Sequence, residues 1–264
     1  MATQINLGNI LIQIVTYMKL TFLIVLIGVA VFIVPECTPS KHLASNEETS
    51  GVIELKGTSK SAVTHWDVIT IGNLSRNRYW GESEEKSLHS VICTTTVITV
   101  DGHRVMVDPS LKDGQAMSDE LKRRTGLTPD KIDVVFMTHE HEDHYIGLPD
   151  FPNAKWLASS SVAEAINKNA HFSKKVEVAG NKIYDVIDVV ALPGHTPGTS
   201  GLRFDYNGLS VFVVGDAVAT KDFWDEGRMY FKALDIEESL RSYKKIASMA
   251  NIVVPGHDNA FLIK

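Results

Sequence analysis

The sequence predicts a mixed α/β fold of the α+β kind, with two β-sheets back to back and helices outside. Three observations predict it. Short apolar segments with strand character recur from residue 66 to residue 254 and outnumber the helical ones. Ile132–Met137 is almost continuously apolar, the mark of a strand covered on both faces. Helical segments fall between groups of strands, and layering helices over paired sheets buries the apolar faces of both.

The elements follow in order. Residues 20–34 form an apolar run broken only by Thr21 and preceded by Lys19, and residues 10–18 are also largely apolar. Read from Met18, the run looks like the n- and h-regions of a signal sequence. Read from Ile10, it approaches the roughly 20 residues that span a bilayer, with Lys19 in its middle. No A-x-A-like cleavage site follows. The expectation is an N-terminal apolar helix within residues 1–37 that is an uncleaved signal anchor, with a cleaved signal peptide as the alternative. The protein is then membrane-anchored or secreted, or cytoplasmic if the segment is not an export signal. Residues 38–60 are rich in Ser, Thr, Glu and Lys, so a polar linker is expected over 38–65 and a globular domain over 66–264.

In that domain Asp67–Ile71, Val91–Val100 and Arg104–Val107 read as strands, with Asp101-Gly102 as the turn between the last two. Ser118–Thr125 reads as a helix ended by Gly126. The strand Ile132–Met137 is followed by a short strand at Lys155–Ala158 and a helix at Ser160–Asn167. Strands recur at Lys175–Val178, Val186–Leu192, Gly201–Tyr206 and Leu209–Val214, with Asn207-Gly208 as a hairpin signal. Ile236–Met249 is an amphipathic helix expected to turn Ile236, Leu240, Ile246 and Met249 inward. Ile252–Val254 is the last strand.

The totals narrow the function classes. At 264 residues, with 44% hydrophobic and 22% charged, the chain has an ordinary globular composition. A net charge of -6 disfavours nucleic acid as a general partner, because a polyanion is repelled on average. Cys37 and Cys93 are too few for a disulfide framework and lack metal-binding spacing.

The chemistry concentrates in Thr138-His139-Glu140-His141-Glu142-Asp143-His144, just after the buried strand. Alternate residues of an extended turn point the same way, so His139 and His141 can grip one ion, while Asp143 and His144 turn to a second position. A helix cannot do this, since residues i and i+2 do not share a face there. Imidazole with carboxylate is the ligand set of zinc and its transition-metal neighbours. With ten histidines in the chain, one H-x-H alone carries little weight. Three further placements add to it. His195 lies in Pro193-Gly194-His195-Thr196-Pro197-Gly198, Asp216 in Val213-Val214-Gly215-Asp216, and His257 in Val254-Pro255-Gly256-His257. Each caps a strand beside a glycine, which allows close backbone approach and a sharp turn.

Together with Val105-Met106-Val107-Asp108-Pro109, these motifs resemble the metallo-β-lactamase superfamily, five motifs in order from Asp108 to His257 and about residues 66–260 in all. The resemblance implies the αββα sandwich with a site at one edge between the sheets. It implies that His139, His141 and His195 hold one metal, that Asp143, His144 and His257 hold a second, and that Asp216 bridges both. Asp108 matches a structural or supporting position rather than a ligand, or is a plain turn residue before Pro109. The implied cofactors are two divalent ions, zinc first, with iron or manganese as alternatives. A hydroxide shared by two cations ionises near neutral pH, because metals lower the pKa of water from 15.7 toward about 7. Asp143 is the expected catalytic residue, orienting the nucleophile or passing a proton to the leaving group.

The superfamily is broad, so the fold names no substrate. Class B β-lactamases lack an aspartate where Asp216 stands, and the flavodiiron branch has a glutamate in place of an early histidine, where His141 is kept. Nuclease branches carry further domains or basic exosites. The seven residues after His257 leave no room for the C-terminal substrate-binding helices of glyoxalase II. The remaining expectation is a hydrolase of small ester, lactone or thioester substrates. The alternatives are a phosphodiesterase or nuclease-type hydrolase, an iron-dependent sulfur dioxygenase, and a non-catalytic binding domain. Phe223-Trp224 and Met229-Tyr230-Phe231 read either as an aromatic lid over the metals or as ordinary packing.

Overall fold

The computed structural model describes residues 51–263, except 59–61, 84, 112–113 and 231–232. The expected anchor at 1–37 and the linker up to residue 50 lie outside the described residues. Among the described residues no helix is long and apolar enough to cross a membrane.

The first half contains β1 (Val52–Leu55), β2 (Val63–Thr70), β3 (Thr95–Val100), β4 (His103–Val107), α1 (Gly114–Thr125), β5 (Val134–Phe136), β6 (Lys155–Ala158), α2 (Ser160–Asn169) and β7 (Glu177–Ile183). The second contains β8 (Ile187–Ala191), β9 (Ser200–Tyr206), β10 (Leu209–Gly215), α3 (Lys221–Asp225), α4 (Ile236–Met249), β11 (Ile252–Pro255) and β12 (Phe261–Leu262). Hydrogen bonds join strands β2 to β12 in sequence order into one ladder, with β1 added in parallel beside β7. The ladder curls on itself, so its two halves serve as the two expected sheets. β7 is the strand that passes between them: its start pairs with β6 and its end with β8.

The period-two alternation of each strand explains the layers. Val105 and Val107 of β4, Val134 and Phe136 of β5, and Val211 and Val213 of β10 share one buried cluster between the halves. The residues between them point outward. Met106 and Val135 pack with Met117 and Leu121 of α1 and with Val162 and Ile166 of α2. Phe212 and Val214 pack with Tyr243 and Ile246 of α4. Strands covered on both faces therefore read as unbroken apolar runs.

Three expectations need correction. The domain starts before residue 66. Val52, Ile53 and Leu55 form β1 against β7, and β2 begins at Val63, within the stretch expected to be linker. That strand is short and half-exposed, so polar neighbours mask it. The strand expected from Val91 begins only at Thr95, because residues 91–94 belong to a long loop tied down by an Asn73–Ile92 bridge. On α4, Ile246 is buried, but Ile236 is 64% exposed and Leu240 41% exposed. The buried face instead carries Ser239, Ser242 and Tyr243, since that side meets the backbone of another loop. Ser242 donates to the carbonyl of Pro193 at 2.7 Å.

Candidate metal centre

The site gathers at strand ends. β4 and β5 are parallel, as are β10 and β11, and β8 runs with β10 because both are antiparallel to β9. The chain leaves β8, β10 and β11 in one direction, carrying His195, Asp216 and His257 to one rim, and β5, which runs the opposite way along the ladder, brings His139 to the same place because the ladder curls on itself. A short 3₁₀ turn at Glu142–His144 follows His141 and redirects Asp143 and His144.

Two glycines make this convergence possible. Gly194 has φ +130, and a Cβ there would lie 2.4 Å from the backbone nitrogen of Ser239 at the start of α4. At Gly256 a Cβ would meet Asp216 Oδ1 at 1.9 Å. Any larger residue at either place would push a loop off the site.

The seven residues singled out from the sequence come together in two groups. In the first, His139 Nε2 and His195 Nε2 each lie 3.0 Å from His141 Nδ1. Asp216 Oδ2 faces the same point, 3.4 Å from His195 Nε2 and 3.9 Å from His139 Nε2. In the second, Asp216 Oδ1 lies 3.3 Å from His144 Nε2 and 3.2 Å from His257 Nε2. Asp143 Oδ2 completes it, 3.7 Å from His144 Nε2 and 3.5 Å from His257 Nε2. Asp216 thus gives one oxygen to each group.

The imidazoles are held from behind. Asp108, with φ 51, accepts from His144 Nδ1 at 2.8 Å, from the Thr138 amide at 2.8 Å and from the Thr138 hydroxyl at 2.6 Å. It is therefore a supporting residue beside the ligand positions. Its hydrogen bond leaves His144 Nε2 free to face Asp216. His257 Nδ1 donates to the Ile92 carbonyl at 2.9 Å, and His139 Nδ1 lies 3.2 Å from the Thr138 hydroxyl. Both contacts aim Nε2 into the site.

Charge is balanced differently in the two groups. Burial, then His144, holds His139 well below the ordinary histidine range, against Asp216. Burial likewise pushes His195 down to about 4, opposed by Asp216. At His144 burial acts downward too, but the Asp216 and Asp108 carboxylates outweigh it and leave the ring well above its usual range. Asp216 outweighs burial in the same way at His257. Burial would raise the Asp216 carboxyl, yet His257, His144 and His195 hold it well below the carboxylate range.

This donor set fits two divalent cations. Three imidazole nitrogens facing one another at about 3 Å cannot all be satisfied by protons they share. His144 Nε2 and Asp216 Oδ1 are buried and without a hydrogen bond, a costly arrangement unless a positive charge lies between them. A third cluster, Cys93, Asp108 and His144, has the right atom types. Its His144–Asp108 contact is already a hydrogen bond, and burial pushes the Cys93 thiol up to about 12.

Tyr230 is the neighbour that sequence reasoning left undecided. Its ring lies 6.2 Å from that of His195, backed edge-on by Phe223, which in turn packs on Tyr79. Burial, with Asp216 and Asp143 adding to it, pushes its phenol up to about 12.

Fold and site together define a metal-dependent hydrolase. The chain belongs to the metallo-beta-lactamase superfamily, whose family model matches residues 90–257. It is similar to a Methanocaldococcus jannaschii protein named "Probable metallo-hydrolase", 32% identical over 157 residues that cover 58% of this chain and 70% of that one. It is similar to an N-acyl homoserine lactonase of Bacillus thuringiensis, 28% identical over 153 residues covering 52% of this chain and 60% of the relative. Among solved structures it is similar to AidC, a dizinc quorum-quenching lactonase in complex with a product. That likeness has a TM-score of 0.53 at 16% identity and covers 63% of this chain and 72% of AidC; it is one of fold.

Proposed function

We propose that this protein hydrolyses a small lactone or ester, with His139, His141 and His195 on one zinc ion and Asp143, His144 and His257 on another. Asp216 is the shared ligand. The observation that carries the reading is the Asp216 carboxylate, whose two oxygens face two separate three-residue groups. The sequence likeness to an N-acyl homoserine lactonase supports a cyclic ester over a phosphodiester, and the acidic chain agrees.

Two divalent cations would lower the pKa of bound water toward about 7 and polarise a substrate oxygen. The chain's own residues do the rest. Asp108 and the Ile92 carbonyl fix the tautomers of His144 and His257, so each Nε2 keeps its lone pair inward. Asp143 is more open than Asp216. It is the catalytic residue that would take the attacking water's proton on the oxygen not turned to His144 and His257 and pass it to the leaving alkoxide when the ring opens. Tyr230 stays protonated at neutral pH and donates a hydrogen bond toward substrate oxygen beside His195.

Metal analysis of the purified protein, followed by a panel of lactone, thioester, phosphodiester and β-lactam substrates, tests this. Two zinc ions per chain and lactone or ester turnover are expected. Oxygen consumption by an iron-loaded protein, or turnover confined to phosphodiesters, would overturn it.

A further inference from the structure

The two metal groups are held from behind in different ways. In the second, His144 Nδ1 meets Asp108 at 2.8 Å and His257 Nδ1 meets the Ile92 carbonyl at 2.9 Å, and those contacts aim both rings. In the first, His139 Nδ1 lies against the Thr138 hydroxyl. His195 is different. It is 2% exposed, and its Nδ1 is buried without a hydrogen bond among the described residues. A metal-facing histidine ordinarily has an acceptor behind it that fixes its tautomer and turns its ring. His195 must therefore take its aim from the backbone that carries it.

That backbone is tied to the other ligands of the group by Glu140. Glu140 stands between His139 and His141 in the chain, and its Oε2 accepts from the Thr196 hydroxyl at 2.7 Å across 56 residues. Thr196 follows His195 directly and is buried. Its amide donates to Thr199 Oγ1 at 3.0 Å, and the Thr196 and Thr199 hydroxyls lie 3.1 Å apart. A carboxylate only accepts, so Glu140 gives this relay one direction. The Thr196 amide donates to Thr199, the Thr199 hydroxyl to Thr196, and the Thr196 hydroxyl to Glu140. The Thr196 carbonyl accepts from the amides of Gly194 at 3.2 Å and Thr199 at 3.3 Å, which closes the turn 194–199 on itself. Its far end is anchored by the Ser200 amide, which donates to the Thr138 carbonyl at 2.9 Å. On its other side the amides of Leu234 and Asp235 donate to the carbonyls of His195 and Gly194, but those bonds lead toward α4. Glu140 is the side chain that joins the near end, beside His195, to the segment carrying His139 and His141.

We propose that Glu140 is a positioning residue that sets the affinity of the first metal group and not of the second. Its bond to Thr196 holds His195 where three imidazoles can share one ion. A hydrogen bond to an ionised carboxylate is stronger than the neutral ones around it, which suits the one tie that the ring of His195 does not supply for itself. The proposal rests on the two-metal reading of the site and adds that the two ions are held by separable supports.

The test measures zinc binding by the full-length protein in competition with a chelating indicator. Glu140→Ala should weaken one of the two zinc ions about 10- to 100-fold and spare the other. Two backgrounds assign the ion: His257→Ala takes a ligand from the second group, and His195→Ala takes one from the first. Adding Glu140→Ala should weaken zinc binding in the His257→Ala background and leave it unchanged in the His195→Ala background. Thr196→Val should reproduce the loss, and the double variant with Glu140→Ala should bind no more weakly than either single change. Glu140→Gln should recover most of it, because an amide oxygen still accepts from Thr196. Cobalt in the His257→Ala background gives a second reading, its visible absorption band changing in Glu140→Ala and returning in Glu140→Gln. Equal losses in both backgrounds would make Glu140 a general structural residue and overturn the proposal. If the unaltered protein binds one zinc and Glu140→Ala still weakens it, the positioning role stands and the two-metal reading falls. If it binds two and Glu140→Ala keeps both at full affinity, the positioning role falls alone.

Discussion

At Asp216 a single buried carboxylate faces imidazoles on two sides, so replacing it removes the shared anion from both metal groups at once. Asp216→Ala is expected to lower the metal bound per chain below two and to cut lactone or ester turnover by at least about 100-fold. Elemental analysis beside a rate measurement checks this, and a variant with two metals and full turnover would remove Asp216 from the bridging position. Residues of this kind were legible in the sequence. His195, Asp216 and His257 each follow an apolar run and sit beside a glycine, and His139 to His144 follow the buried run 132–137, so the strand that positions each of them is written beside it. Tyr230 was not legible. Its segment has no periodicity, and its place beside His195 depends on Phe223 and Tyr79, which come from separate parts of the chain.

Elements were legible where the apolar period is strong and unbroken. Lys155–Ala158 and Ile236–Met249 have the expected bounds, because propensity, pattern and packing agree there. The face of α4 was misread for a physical reason. A hydrophobic pattern assumes an apolar partner, whereas the inner side of this helix meets a backbone loop that accepts from the hydroxyl of Ser242 and crowds Ser239. The outer Leu240 therefore contributes little to stability. Leu240→Glu should change unfolding free energy by less than about 0.5 kcal/mol, and Ile246→Ala should cost about 2–5 kcal/mol. Urea unfolding of both variants measures the contrast, and equal losses would refute the assigned orientation.

For the molecule as a whole, the two-sheet layering followed from the alternation of strands and helices, while the single continuous ladder did not. The pairing that unites it, β7 with β6 on one side and β8 on the other, comes from tertiary contacts that local patterns do not encode. The same limit applies to β1, which is too short and half-exposed to stand out from the polar run around it. Its pairing with β7 fixes where the folded unit can be trimmed. Removal of residues 1–50 keeps every strand of the ladder and is expected to leave metal content and melting temperature unchanged. Removal through residue 60 strips a strand from β7 and should lower the melting temperature measurably.

The hairpin joining β7 to β8 turns at Tyr184 and Asp185, both with positive φ. It falls between the contributors to each metal group, with His139, His141, Asp143 and His144 before it and His195, Asp216 and His257 after it. Neither stretch alone can complete either group. The ions would thus act as rivets between two half-molecules. A chain severed at that turn into residues 51–184 and 185–264 should reassemble in zinc and come apart in chelator, which co-purification of the two fragments would report directly. Assembly indifferent to metal would mean that the apolar interior alone holds the halves together. If the rivets bear the load, hydrolysis and association should return together over one range of zinc concentration.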